Sequence, residues 1–333
     1  MLHPLTHSVL HPLIHGVVGH RLRGGRKPLT DAIILALFSN GEQGAYYDPY
    51  DLTDEKLAWV SANPSFTSAE FMAQFPQHTL FQDSLGTIPV TGNMQPLGLG
   101  LDKRFGGVRG ENVNRELIPS NYQSAGSGSP QMSMTGGSIT VTNTSNGSTV
   151  FRDPTATLTQ GVLYEVLIFV DAANMDLAIN VPINVPLNLG LNRVLIPSTD
   201  NTSIVRIGSV SSQSVGAFYT ISQFTVRPIL GNHASQPNSA FRMLWQNNNG
   251  IKTFYRDGVD DALSVTLPAA TYARIVANTG TGYATNTVVH GGGALNILGS
   301  GAGNSAGYIL IDRALTPAES ADVETLFNKR AGL

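Results

Sequence analysis

The chain has 333 residues, of which 41% are hydrophobic and only 13% charged, with a formal net charge of -3 and no cysteine. That hydrophobic share sustains cores for two ordinary domains, and the lack of cysteine excludes disulfides, thiolate metal sites and cysteine nucleophiles. The slight negative charge excludes a global attraction to nucleic acid, and no apolar run approaches the roughly 20 residues of a membrane helix.

The chain opens on an octad repeat. His3-Pro4-Leu5, with His7 and Val9, returns as His11-Pro12-Leu13, with His15 and Val17. Pro4, Pro12 and Gly16 oppose a helix, so an extended arm is expected over 1–29. Pro4, Pro12 and the five histidines break the apolar core that a secretory signal needs, and the cations follow the apolar stretch instead of preceding it. Those cations are Arg21, Arg23, Arg26 and Lys27, with no acid anywhere in residues 1–29. Such an arm cannot bury its own apolar residues and needs a neighbour to do so. Leu5, Leu10, Leu13, Ile14, Val17, Arg21 and Arg23 are the candidate assembly contacts.

Residues 30–78 predict short helices. Thr30 is placed to cap a helix over 31–39, with Asp31 in its first turn and Asn40-Gly41 as its stop. A second helix is expected over 54–62. A third is expected over 67–75, where Thr67 and Glu70 have capping-box spacing. From Thr79 to Leu101 the pattern changes to short strands broken by Gly and Pro.

Between Ser120 and Val226 the only charges are Arg152, Arg193, Arg206, Asp153, Glu165, Asp171, Asp176 and Asp200. Residues 138–142 alternate polar and apolar as a half-buried strand does. Further strands are expected at 163–170, 178–185, 193–196, 203–207 and 218–226. Their short, regular spacing predicts a sandwich or jelly roll. After Gly231, strands are expected at 251–256, 262–267, 274–277 and 308–311, with a Gly-rich run over 291–307 separating the last two. Thr316-Pro317-Ala318-Glu319 predicts a closing helix, with Ala321, Val323, Leu326 and Phe327 as its apolar contacts. The expected fold is therefore mainly β, with an N-terminal extended arm, short helices, β-sandwich domains and a C-terminal helix.

Few residues carry a chemical signature. His3, His7, His11, His15 and His20 could gather a metal only on a helix that the prolines oppose, and no carboxylate stands near to orient them. The cations at 21–27 lack interleaved aromatics, which suits a linker facing another subunit better than a nucleic-acid site. Asp257, Asp260 and Asp261 are the candidate metal residues. They offer hard oxygens to an ion such as calcium, though not at EF-hand spacing, and the same sequence serves as a turn. Gly303 to Gly307 spells G-x-S-x-G, but a strand follows it where a nucleophile elbow needs a helix. Asn143, Asn146 and Asn201 head glycosylation-type triplets and read as turn residues. Trp59 and Trp245 offer ring faces that stack on sugars, and both also suit a core. No catalytic residue and no cofactor is expected.

Three blocks carry a family resemblance. The first is Asn40-Gly41-Glu42-Gln43-Gly44-Ala45-Tyr46-Tyr47-Asp48-Pro49. The second runs from Leu80-Phe81-Gln82-Asp83-Ser84-Leu85-Gly86-Thr87 through Gln95-Pro96-Leu97-Gly98-Leu99 to Leu101-Asp102-Lys103. The third is Gly231-Asn232-His233-Ala234-Ser235-Gln236, followed by Tyr255-Arg256-Asp257-Gly258-Val259-Asp260-Asp261. Together they resemble virion structural proteins of tailed bacteriophages and prophages that carry a concanavalin/laminin-G-like domain. The closing helix is similar to the last helix of such domains. In simpler relatives the second block runs almost directly into the third. The resemblance thus implies a concanavalin-like sandwich built from 79–103 plus 231–333, interrupted by a carbohydrate-binding-module-like jelly roll at 104–230. It further implies a non-enzymatic protein of the virion surface. A tail fibre, tail-tip or baseplate component is expected, with a capsid decoration protein and a glycan depolymerase as alternatives. Its partners would be other virion proteins, further copies of itself in a homo-oligomer (a trimer by the symmetry of virion appendages), and host-surface glycan.

Overall fold

The computed structural model describes residues 31–105, 110–114, 116–181, 184–198, 201, 204–298 and 302–333. The arm, with Leu5, Leu10, Leu13, Ile14, Val17, Arg21 and Arg23, lies outside the described residues, as does Thr30. The described chain is mainly β, with four α-helices, a few single-turn 3-10 helices and three antiparallel sheets.

Helix α1 (Asp31–Ala36) starts as expected but is shorter than the expected 31–39. The N–H groups of Leu37, Phe38 and Ser39 each donate to the carbonyl three residues back, so the last turn tightens instead of continuing. Helix α2 (Asp54–Ala62) starts where the Thr53 hydroxyl accepts from Lys56 N. Helix α3 (Ser68–Gln74) carries the expected capping box: Thr67 N donates to Glu70 at 2.7 Å, and the Thr67 side chain accepts from Glu70 N. Helix α4 (Pro317–Arg330) repeats the device with Thr316 and Glu319, and buries Val323, Leu326 and Phe327.

The first sheet has ten strands. Its main path runs Leu80–Phe81, Leu99–Gly100, Ala234–Ser235, Leu263–Asn278, Gly303–Ile311, Ile251–Arg256, Leu244–Asn248 and Gln95–Pro96. Gly44–Tyr47 also pairs with Gly303–Ile311, and Gly282–Ile297 pairs with Leu263–Asn278. The segment expected to be only helical therefore also supplies a strand. Alternation sorts its side chains to two cores. Ala45, Tyr47, Tyr308 and Leu310 join Phe254, Trp245 and Phe81 on one face. Tyr46, Ile309 and Ile311 meet α1 and α4 on the other.

Two expectations change here. The strands read at 262–267 and 274–277 are one strand, Leu263–Asn278, and the Gly-rich run begins inside its partner, Gly282–Ile297. Weak strand formers such as Ala269, Ala270 and Gly291 to Gly293 are held by the ladder between the two strands, which outweighs their local preference.

All strands of the other two sheets come from residues between Gln123 and Ile229. One sheet runs Val185–Leu187, Leu177–Val181, Arg206–Ser209, Val150–Arg152 and Gln123–Ala125. The other runs Gly190–Pro197, Leu163–Ala173, Phe218–Ile229, Ser138–Asn143 and Pro130–Thr135. The stretch read as one strand over 178–185 is split between two. Phe151, Ile179 and Ile207 from one sheet share a core with Val166, Ile168, Tyr219 and Phe224 from the other, which defines a β-sandwich. Tyr122 and Phe151 stack inside it at 4.7 Å and 5°.

The sandwich abuts the first sheet. Leu195 N donates to Leu85 O at 2.8 Å, and Arg193 Nη1 donates to Gly86 O at 3.2 Å. Leu163, Leu195 and Ile229 belong to the same core cluster as Phe81 and Leu97, so apolar burial is continuous across this seam. No helix among the described residues is long and apolar enough to cross a membrane.

Candidate functional site

The three blocks that carry the family resemblance meet at one buried junction centred on Asp102. Its Oδ1 accepts from Tyr46 N and Arg104 N, each at 3.1 Å. Its Oδ2 accepts from Arg104 Nε at 2.8 Å and Asn232 N at 2.9 Å. Asp102 N donates to His233 Nδ1, the Tyr47 hydroxyl donates to Asn232 O, and Asn232 Nδ2 donates to Gly44 O. Every one of these groups would cost energy if buried unpaired. The junction therefore fixes the scaffold, and it places no nucleophile beside a base. A cleft of about 380 Å³ opens beside it, at the seam, lined by Ser84, Ser198, Asn232, His233, Ser235 and Thr266 among others.

A second network lies under α2. Lys56 Nζ bonds Asp51 Oδ2 at 3.1 Å, and His78 Nδ1 lies 3.2 Å from the same oxygen. Thr79 N donates to that carboxylate too. Burial opposes a charge on Asp51, yet the His78 hydrogen bond and the Lys56 charge outweigh it and hold the carboxyl far below its ordinary range. Burial lowers the pKa of His78, against the pull of Asp51.

Above this network stands an aromatic cluster. Trp59 meets Phe66, Phe71 and Phe75 edge-on, at 5.4, 5.9 and 5.8 Å. Trp59 stays partly exposed and, with Asn63, Pro64, Ser65, Phe66 and Glu70, lines a shallow pocket of about 360 Å³. Asn63 closes α2 by donating from Nδ2 to Trp59 O at 2.8 Å, and Glu70 is fixed by the α3 capping box. The rim is thus rigid and polar around an aromatic face, the combination that stacks a sugar ring and hydrogen-bonds its hydroxyls. Glu70 is the only carboxylate among the lining residues, so the carboxylate pair needed for glycoside cleavage is not assembled at this shelf.

The other sequence candidates fall elsewhere. Trp245 is fully buried and donates from Nε1 to Pro49 O at 2.8 Å, so it is a core residue. Asp257, Asp260 and Asp261 each bring a carboxylate oxygen within 4.8 Å of the others. Asp261 Oδ2 accepts from Asp257 N, and Asp257 Oδ1 from Val259 N, which are bonds that close a turn. Burial raises the pKa of Asp261, and the neighbouring Asp257 and Asp260 raise it further. Gly303 to Gly307 lies within strand Gly303–Ile311, with Ser305 buried and donating to Asn278 Oδ1; it is no nucleophile elbow. Sequence reasoning singled out Trp59 but missed Asn63 and Phe66 as its companions. The Trp59–Asn63 spacing of four on a helix was the available signal.

No family model matches the chain, and no curated protein matches it. Among solved structures, it overlaps a family 29 carbohydrate-binding module variant in complex with mannohexaose. The identity there is 11% and the TM-score 0.23, with 35% of this chain and 87% of that one covered. It also overlaps the N-terminal tandem CBM22 domain of Xyn10C from Paenibacillus barcinonensis, at 10% identity and a TM-score of 0.29, covering 64% and 94% of the two chains. At such scores the overlap carries no argument about binding.

Proposed function

We propose that this chain is a non-enzymatic structural protein of a tailed-bacteriophage particle, tail-associated as a fibre, tail-tip or baseplate component, that also adheres to host-surface glycan. The observation that carries this reading is the Asp102 junction. The residues behind the virion resemblance, far apart in sequence, meet there as one structural unit. In this reading residues 1–29 attach the chain to other virion proteins, with Leu5, Leu10, Leu13, Ile14, Val17, Arg21 and Arg23 as contacts. Residues 30–78 and the discontinuous sandwich of 79–103 plus 231–333 form the body, and 104–230 form an inserted jelly roll. Copies assemble as a homo-oligomer, a trimer by appendage symmetry, and the Trp59 shelf takes a neutral sugar ring. Weak single sites gain avidity from copy number.

Antibody labelling of particles under the electron microscope tests the location. Label on the tail supports the proposal, label on the capsid makes the chain a decoration protein, and absence from particles removes the virion reading. Incubation with host polysaccharide tests the chemistry: binding without chain shortening is expected, and shortening would make the protein a depolymerase.

A further inference from the structure

Strand Gly282–Ile297 is an edge without the usual guards. One side pairs in unbroken register with Leu263–Asn278. Its other side has no strand partner among the described residues. It carries no Lys, Arg, Asp, Glu or Pro, and its middle is open to solvent, with Val289 at 82% exposure. A long, uncharged edge is a template for pairing with another strand. The N–H of Tyr283 donates away from the sheet to Asn328 Oδ1 at 2.8 Å. With no register shift as far as Gly291, the odd-numbered residues from Thr285 to Gly291 therefore direct their backbone groups to the open side.

The arm has the matching pattern. Pro4 and Pro12 are both at even positions. In an extended chain residues of one parity share an edge, so residues 5, 7, 9, 11, 13, 15 and 17 offer an unbroken row of N–H donors while both prolines fall on the other edge. The charges match as well. Of 20 cations and 23 acids in the chain, four cations and no acid lie in residues 1–29. Residues 30–333 thus hold 16 cations against 23 acids, a net charge of -7 that attracts the basic arm.

We propose that residues 5–17 of one copy add as a strand to the open edge of Gly282–Ile297 in a second copy. This rests on the reading of the arm as an assembly contact, and it names the partner. Asp31 is pinned to its own body by Lys103 at 2.7 Å and Arg330 at 2.5 Å. The intervening residues 18–30 span about 45 Å when extended, enough to leave that body.

The test is sedimentation of the full-length protein over a concentration series, with a parity control. Val9→Pro interrupts the pairing edge of the arm, whereas Ser8→Pro falls on the edge that already holds the prolines. The native chain is expected to associate, Val9→Pro to weaken association at least about tenfold, and Ser8→Pro to stay within about twofold. On the receiving strand Thr287→Pro and Val289→Lys should each weaken association as Val9→Pro does. Val289→Lys guards against misfolding of the proline variant. A native chain that stays monomeric overturns the proposal, as do equal effects of Val9→Pro and Ser8→Pro. If that chain is monomeric but deleting residues 1–29 still abolishes its attachment to particles, the arm remains an anchor and strand exchange alone fails.

Discussion

Asn232 donates its backbone N–H to Asp102 Oδ2 at 2.9 Å, although the two residues are 130 positions apart in sequence. The whole Gln123–Ile229 sandwich lies between the two ends of this bond, so the bond holds the entry and exit of that segment side by side. Replacing Asp102 by Ala would leave Tyr46 N and Asn232 N without this acceptor and would take the carboxylate from the largely buried Arg104 guanidinium, which keeps its bond to Glu42 O. The expected loss is about 3–5 kcal/mol, read as a lower urea midpoint. Asp102→Asn keeps the shape and some acceptors, and should lose less.

Acid should destabilise the protein in two stages. The folded pKa of His78 is depressed below its ordinary 6.5, so the unfolded chain takes up that proton first. Its contribution is present above 6.5 and is lost as pH falls through the folded value. The Asp51 carboxyl is depressed below its ordinary 3.8, so its larger contribution is present above about pH 5 and is lost at lower pH. Thermal melts across pH should show Tm declining first below 6.5 and then steeply below 4. His78→Gln should remove the first decline and shrink the second to the share carried by Lys56, because the His78 hydrogen bond also holds Asp51 low.

Gly86 sits at φ +62 with the Leu195 side chain against it; an added Cβ would lie 2.3 Å from Leu195 Cδ1. Gly86→Ala combines backbone strain with overpacking at the seam and should cost about 2–4 kcal/mol. Gly161, at φ +78 with open space around it, isolates the backbone share. Gly161→Ala should cost only about 1 kcal/mol, and guanidinium denaturation of both variants would compare them.

The two tryptophans separate by burial. Trp245→Phe leaves Trp59 as the sole indole, and its emission should be readily quenched by acrylamide and then protected by a bound sugar. Trp59→Phe should leave a poorly quenched, sugar-insensitive signal from fully buried Trp245. Protection of Trp245 instead would place any sugar site away from the Trp59 shelf.

The parts legible in the sequence were those whose cause is local. Thr67 with Glu70 and Thr316 with Glu319 announced two helix starts, because a capping box is closed by residues three apart. The alternation in Ser138–Asn143 announced its strand, because burial of one face follows period two. Gly291 to Gly293 misled, because glycine reads as a breaker until a partner strand supplies the hydrogen bonds. The shelf was half legible. Trp59 stood out by type, but Phe66, Phe71 and Phe75 reach it only once α2 and α3 fold together.

By itself, then, the sequence determined the mainly β character, the helix caps, the charge-poor middle segment and the basic, acid-free arm, since propensity, capping and charge act over a few residues. The tertiary structure alone decided that Tyr46, Asp102 and Asn232 share one buried carboxylate, that Trp245 is core while Trp59 faces a pocket, and that Gly282–Ile297 is an open edge. Those outcomes depend on which distant segments exclude water from one another, and no local pattern records that choice.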